Sequence, residues 1–396
     1  MTLPLSGIKV VDLCTVYAGP FAAMLLADQG ADVIKLEPPE GATVRGRAPF
    51  DPSAPGLHLA FLAFNRNKRS ILVDITKPEG RKVAYDLVRW ADVLVINMRV
   101  HTRERRGFTY KELAAVNPKL IYASITGYGA EGPDANLPGA DITIQARAGD
   151  LAARRYPDSS MPHHTSLFSF DMATSMLTAY SVMLALWERE RTGHGKRIEL
   201  NLLQSALACQ AVQRTQLNGS DERVRILPIG LPIQYLCGDG RYLLSQSINA
   251  ERLDNFCHAV GLDYVVEDPR YDTPEKRGQR WEELAGILEQ HLLSKPAAEW
   301  EAMLKAKEVT TSVIKEFSEV VDDPQVVANH MIMQFDQPGF GTVTSLAQPF
   351  NMDPPSEEPW LRRPVPILGE HTHEVLRELG YDSKDIDALN SAKVIG

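Results

Sequence analysis

IKVVDLCTVYAGPFAAMLLADQGADVIKLE, residues 8–37, reads as strand, helix, strand. IKVVDL (8–13) is a short Val-rich run, the stretch through AAMLLADQG has the composition of a buried helix, and ADVIKLE (31–37) is a second Val/Ile run. The pattern continues outward. SILVDI (70–75) is a third strand, and Pro78 then suits the first turn of a helix, where a missing N–H costs nothing. That helix runs through Trp90 into ADVLVIN (91–97), and LIYASITGYG (120–129) is one more strand, ending in glycines. Strands rich in Val and Ile, separated by helices, predict a largely parallel sheet covered on both faces, an α/β fold.

A long helix from roughly Phe170 to Arg191 follows, stopped by Thr192-Gly193-His194-Gly195, then a strand KRIEL (196–200) and a helix LLQSALACQAV. At 396 residues the chain exceeds one core of ordinary size, so two domains are expected. The text changes near residue 234: a hairpin over Tyr235–Ser247, turning at Gly238-Asp239-Gly240, precedes short helices rich in Glu, Lys and Trp. The expected organisation is a large domain begun by 1–217, a connection over 218–233, a small α+β domain over 234–325, and a return over 326–396 that ends in the helix HEVLRELG.

Lys plus Arg number 42 against 51 Asp plus Glu, a net charge of −9 with no concentrated basic region, which argues against nucleic acid as a partner. The densest apolar stretch, Leu177–Trp187, is far shorter than the ~20 residues a bilayer span needs. The N-terminus runs straight into a strand pattern without a basic region or cleavable apolar segment. Cys14, Cys209, Cys237 and Cys257 are widely spaced and form no CxxC, as in a reduced, cytoplasmic protein.

Gly127-Tyr128-Gly129-Ala130-Glu131-Gly132 satisfies GxGxxG after a strand. A dinucleotide site also needs a helix opening at the last glycine. Pro133, Asp134, Asn136 and Pro138 make a loop there instead, so a glycine turn that admits a substrate to the backbone is the better reading. His163-His164 and His371-Thr372-His373 lack the i, i+4 spacing of a helical metal site, and no metal is expected. No GxSxG elbow or P-loop occurs. Arg99, Arg103, Arg105 and Arg106 cluster around His101 beyond a strand end, either as a solvated basic loop or as a phosphate site. Asp171 opens a helix otherwise built of Phe, Met, Leu, Ala, Val and Trp. It is either a first-turn carboxylate stabilised by the helix dipole or a nucleophile.

Several blocks resemble one family. LSGIKVVDLCTVYAGPFAAMLLADQGADVIKLEPPEG, NRNKRSILVDITKPEGRKV, ADVLVINMR, NPKLIYASITGYGAEGP and PGADITIQARAG are similar to class III CoA-transferases of the CaiB/BaiF type, which include formyl-CoA and carnitine CoA-transferases. SFDMATSMLTAYSVMLALWERERTGHGKRIELNLLQSAL resembles the family's catalytic helix, and DDPQVVANHM and PVPILGEHTHEVLRELGY its C-terminal blocks. The resemblance implies a large Rossmann-like domain completed by C-terminal segments, a small domain, and two ring-shaped chains interlocked as a homodimer. It implies that Asp171 is the catalytic nucleophile. It also implies that Tyr17 and Ala18, Val73 and Asp74, and Asn97, Met98 and Arg99 line coenzyme A, with Arg105 and Arg106 holding its phosphates.

The implied reaction moves coenzyme A from an acyl-CoA, such as succinyl-CoA, to a free organic acid. Asp171 attacks the thioester carbonyl to form a mixed anhydride, the released thiolate converts it to an aspartyl-CoA thioester, and an incoming carboxylate reverses the sequence. Backbone N–H groups at Gly127, Tyr128 and Gly129, or at the helix start near Asp171, would hold the oxyanions. Coenzyme A is then a substrate, and no resident cofactor is required. The chain departs from family patterns at Pro38, where some transferases have arginine, and over Pro228–Gly240, where formyl-CoA enzymes carry a glycine run. The alternative is a 2-methylacyl-CoA racemase, in which Asp171 would be a base; that branch has His-Asp where this chain has Ala140-Asp141, and a glutamate near the position of Ala250. A third reading is a non-catalytic CoA-binding subunit of a heteromeric transferase.

Overall fold

The computed structural model describes residues 2–45, 58–153, 164–215, 234–245 and 250–396. The chain divides into two compact units, Met1–Ala211 with His330–Gly396, and Val212–Asn329. The connection expected over 218–233 lies outside the described residues.

In the first unit six strands run parallel: β1 (Lys9–Leu13), β2 (Asp32–Glu37), β3 (Lys68–Leu72), β4 (Val93–Ile96), β5 (Ile121–Thr126) and β6 (Lys196–Asn201). Their order is β3-β2-β1-β4-β5-β6. Chain direction across the sheet therefore reverses between β1 and β4, and the crevice beyond their carboxyl ends is where open α/β sheets take ligands. The helices between these strands are α1 (Ala18–Asp28), α2 (Leu59–Phe64), α3 (Pro78–Trp90), α4 (Val100–Arg106), α5 (Tyr110–Val116), α6 (Asp141–Arg147), α7 (Asp150–Ala153) and α8 (Ser169–Thr192), and α9 (Leu202–Cys209) follows β6. One face of the sheet packs Ile34, Ile71, Leu94 and Tyr122 against α3, α5 and the C-terminal helices. The other packs Val10, Val33, Val95 and Ile125 against α1 and α8.

The third strand begins two residues before the expected SILVDI and ends at Leu72, with Lys68 and Arg69 paired to Val33 and Ile34. Their charge hides them from a hydrophobic pattern, and carboxylate partners, buried for Lys68 and partly exposed for Arg69, explain their place. Lys68 Nζ contacts Asp12 at 2.9 Å, and Arg69 pairs with Asp32, Glu374 and Glu378. Beyond Val73, whose N–H still donates to Glu37 O, the chain pairs with the C-terminus, where Asp74 N donates to Val394 O. A further helix, Ser383–Ser391, follows the expected last one at Thr372–Glu378, opened by a capping box between Asp382 and Asp385. Its Ile386 and Leu389 complete the core under β3. The return segment also forms an antiparallel pair, β10 (Ile332–Gln337) with β11 (Gly341–Leu346), which the sequence reading does not assign.

In the second unit β7 (Gln234–Leu236), β8 (Tyr242–Ser245) and β9 (Thr311–Val313) form an antiparallel sheet. Helices pack against it around Trp300, Tyr271 and Phe256. Among the described residues no helix is long and apolar enough to cross a membrane.

Candidate active site

The residues that follow β1 and β4 flank the crevice. After β1 the chain turns at Cys14–Tyr17 into α1, so tightly that a Cβ on Gly19 would lie 2.2 Å from Cys14 Sγ. Tyr17 precedes the first turn of α1, and its ring packs on Phe168, just before α8, with centroids 4.5 Å apart. The Ser175 hydroxyl lies 2.8 Å from Ala18 O and 2.7 Å from Asp171 O, joining the starts of α1 and α8. Tyr17, Ala18 and Asp171, distant in sequence, therefore share one corner.

Asp171 occupies the first turn of α8 and is 9% exposed. It does not cap its own helix. That task falls to Asp141, the first residue of α6, whose Oδ2 accepts from Phe170 N at 2.8 Å and from Asp171 N at 2.9 Å. The Asp171 carboxyl has no hydrogen-bond partner among the described residues. Burial, and secondarily the charge of Asp141, push its pKa up to about 7. A carboxylate stabilised by the helix dipole would move down instead. A desolvated carboxyl held near neutrality, with unoccupied lone pairs, suits nucleophilic or proton-transfer chemistry. A single sequence gives no sign of Asp141's role except that Gln145 stands one turn later on the same helix face.

Gly127 follows β5 and meets Gly139, whose Cα lies 2.6 Å from where a Cβ on Gly127 would sit. Only a glycine pair allows the chain before α6 to lie on this turn. Two expectations about oxyanion donors need correction. Gly129 N–H is engaged by Thr126 Oγ1 at 3.1 Å, and the N–H groups at the start of α8 are engaged by Asp141. Gly127 and Tyr128 remain as candidates. Tyr128 packs against the apolar cluster that includes Phe170 and Ile144, and its hydroxyl lies 3.3 Å from Thr143 Oγ1.

The arginine cluster divides in two. Arg103 is buried and pairs with Glu199 at 3.1 Å, so it belongs to the interior. Arg99 and Arg105 are exposed and Arg106 partly so, and none of the three is in an ion pair among the described residues. Arg106 lies close enough to Asp74 to help hold that carboxyl below its usual range, after the hydrogen bond from Thr76, which is the largest cause. Val73 is wholly buried, with its N–H donated to Glu37 O and its carbonyl accepting from Ile75, which leaves Asp74 as the accessible member of that pair. Asn97 and Met98 are half-buried beyond β4, Met98 against the core.

No group of three or more His, Cys, Asp or Glu suited to a metal ion occurs among the described residues. His371 Nδ1 faces Ser70 N and His373 faces Asn390, so these two imidazoles serve different neighbours. His163 lies outside the described residues.

The sequence model of CoA-transferase family III matches residues 5–372. The chain belongs to that family. Among curated relatives of this family III enzyme is (R)-2-hydroxy-4-methylpentanoate CoA-transferase of Clostridioides difficile, 29% identical over 99% of each chain. Succinyl-CoA:glutarate CoA-transferase of Mus musculus is 32% identical, over 99% of this chain and 90% of the relative. Among solved structures, a CaiB/BaiF family protein from Brucella suis superposes with a TM-score of 0.85 at 30% identity, covering 96% of this chain and all of that one. The protein is thus an enzyme of the CoA-transferase class.

Proposed function

We propose that the protein transfers coenzyme A from an acyl-CoA donor, with succinyl-CoA as the first candidate, to a free organic acid through covalent intermediates on Asp171. The observation that carries this reading is the Asp171 carboxyl itself: buried, without a hydrogen-bond partner among the described residues, and with a pKa near 7. In the ionised form one oxygen attacks the thioester carbonyl, and collapse of the tetrahedral adduct expels coenzyme A thiolate and leaves an acyl–aspartyl anhydride. The thiolate attacks the aspartyl carbonyl, releases the donor's acid and leaves an aspartyl-CoA thioester. The acceptor carboxylate then attacks that thioester, and the same two steps run in reverse. Backbone N–H groups of Gly127 and Tyr128 stabilise the oxyanions.

Coenzyme A lies across the crevice in this proposal, with Tyr17 and Ala18 on one side and Asn97, Met98 and Arg99 on the other. Arg105 and Arg106 take its phosphates, and Val73 and Asp74 border it. The racemase alternative needs an acid opposite Asp171, and Ala140 supplies none. The functional form is a cytoplasmic, interlocked homodimer. Support comes from α8, which exposes Met176, Tyr180, Met183, Leu184 and Trp187, more apolar surface than a lone helix face leaves to water.

The test incubates purified protein with succinyl-CoA and a panel of carboxylic acids and follows new acyl-CoA masses. With donor alone, hydroxylamine should label the peptide that contains Asp171. No transfer to any acid, or labelling at another carboxyl, overturns the reading.

A further inference from the structure

Gln145 is 1% exposed, and both ends of its amide are hydrogen-bonded. Its Nε2 donates to Asp141 Oδ1 at 2.6 Å and to Thr165 O at 3.2 Å, and its Oε1 accepts from Thr165 N at 3.3 Å. The paired bonds to Thr165 fasten the chain entering α8 to α6. The bond to Asp141 fixes one carboxylate oxygen so that the other meets the N–H groups of Phe170 and Asp171. We infer that Gln145 is a positioning residue for the transferase reaction, acting through Asp141 to set the orientation and environment of Asp171.

The inference rests on the reading of Asp171 as nucleophile. A buried amide that satisfies both the backbone N–H and carbonyl of Thr165 and a carboxylate cannot be replaced by an apolar side chain without leaving buried polar groups unpaired. Losing it frees Asp141 to rotate, which withdraws the cap from α8 and shifts the Asp171 backbone. Displacements of about 1 Å at a reacting group cost roughly 100-fold in rate.

Asp141 is also the charged group that faces Asp171. Of the other elements packed against α8, Asp28 of α1 is bound to Arg66, and Lys196, Arg197 and Glu199 of β6 pair with Glu188, with Glu199 and with Arg103. Tyr122 of β5 bonds Phe108 O, Cys209 of α9 is exposed, and Arg147 of α6 pairs with Asp134. A change in how Asp141 sits should therefore move the pH dependence of the reaction as well as its rate.

The experiment compares full-length wild type, Gln145→Met, Gln145→Glu and Asp141→Asn, using succinyl-CoA and the best acceptor acid. Gln145→Met, of similar length but without the amide, should lower kcat about 10- to 100-fold with KM for the acyl-CoA within about twofold. Gln145→Glu keeps the acceptor for Thr165 N but sets a carboxylate against Asp141, and it should lose more. Asp141→Asn keeps an acceptor for the two N–H groups without the charge, so its kcat–pH profile should shift to lower pH. Wild-type kcat in Gln145→Met, an unmoved profile in Asp141→Asn, or equal changes in kcat and KM would overturn the inference. If instead the wild type transfers nothing or labels elsewhere, the reading of Asp171 has failed and not this step.

Discussion

Asp12 and Asp171 are both carboxylates taken out of water in the same unit, and their surroundings are opposite. Asp12, on β1, is fully buried between Lys35 Nζ at 3.3 Å and Lys68 Nζ at 2.9 Å. Burial alone would raise its pKa, but the two ammonium groups outweigh that and hold it below the usual carboxylate range. Lys68 is in turn lowered to about 8, chiefly by burial. Asp171 is buried with no cation and with Asp141 as its charged neighbour. A desolvated charge with matched partners ties strands together. One left without partners is costly to the fold and persists where chemistry uses it. Depth does not separate the two roles, whereas pairing does.

The largest effect should come from Asp171→Asn. Transfer should fall by at least about a thousandfold, since no other group forms the anhydride. The same variant should be more stable than wild type at pH 8. A carboxyl raised to about 7 in the fold contributes stability that is present below the unfolded value of 3.8 and lost as pH rises through 7. Removing that ionisation should return up to about 4 kcal/mol, read by urea denaturation at pH 8 and vanishing at pH 4. An inactive variant with no gain at pH 8 would break the contrast with Asp12.

Asp12→Ala comes next, with the opposite sign. It leaves Lys35 and Lys68 buried without their carboxylate and should cost about 3–5 kcal/mol, read as a lowered urea midpoint at pH 7. Because the folded pKa of Asp12 is depressed, its contribution is present above pH 3.8 and lost as pH falls through the lower folded value. Urea midpoints between pH 5 and 2.5 should therefore fall more steeply for wild type than for Asp12→Asn.

A subtler distinction lies in the pH–rate profile of the wild type. With the ionised carboxylate as nucleophile, kcat should rise through pH about 7 and level off above it. A profile that falls across that range would make the protonated form the active one. The smallest change should follow Arg105→Ala, which removes an exposed charge from neither buried cluster. KM for acyl-CoA should rise about tenfold with kcat unchanged, and added salt should shrink the difference.

What the sequence discloses follows the range of each interaction. The Val- and Ile-rich runs of β1, β2, β4 and β5 are legible because their pattern is local. Lys68 and Arg69 are not, because Asp12, Asp32, Glu374 and Glu378, which make them strand residues, come from remote segments. Asp171 stands out in an apolar helix, yet its raised pKa depends on burial and on Asp141, brought from another helix. The same holds for the arginines: nothing in Arg99-Val-His-Thr-Arg103 says which one turns inward to Glu199. The residues proposed for coenzyme A are readable only through family resemblance.

Gly127 and Gly139 touch backbone to backbone, and two residues beyond Gly139 stands Asp141. An alanine at either glycine would act as a wedge, prising the chain that enters α6 off the turn after β5 and carrying the cap of α8 with it. A lineage in which these enzymes diverge toward new acids thus has little freedom at 127 and 139, however bland those letters look in a variant table. Its room for change lies at the neighbours that carry side chains, Tyr128 and Ala140.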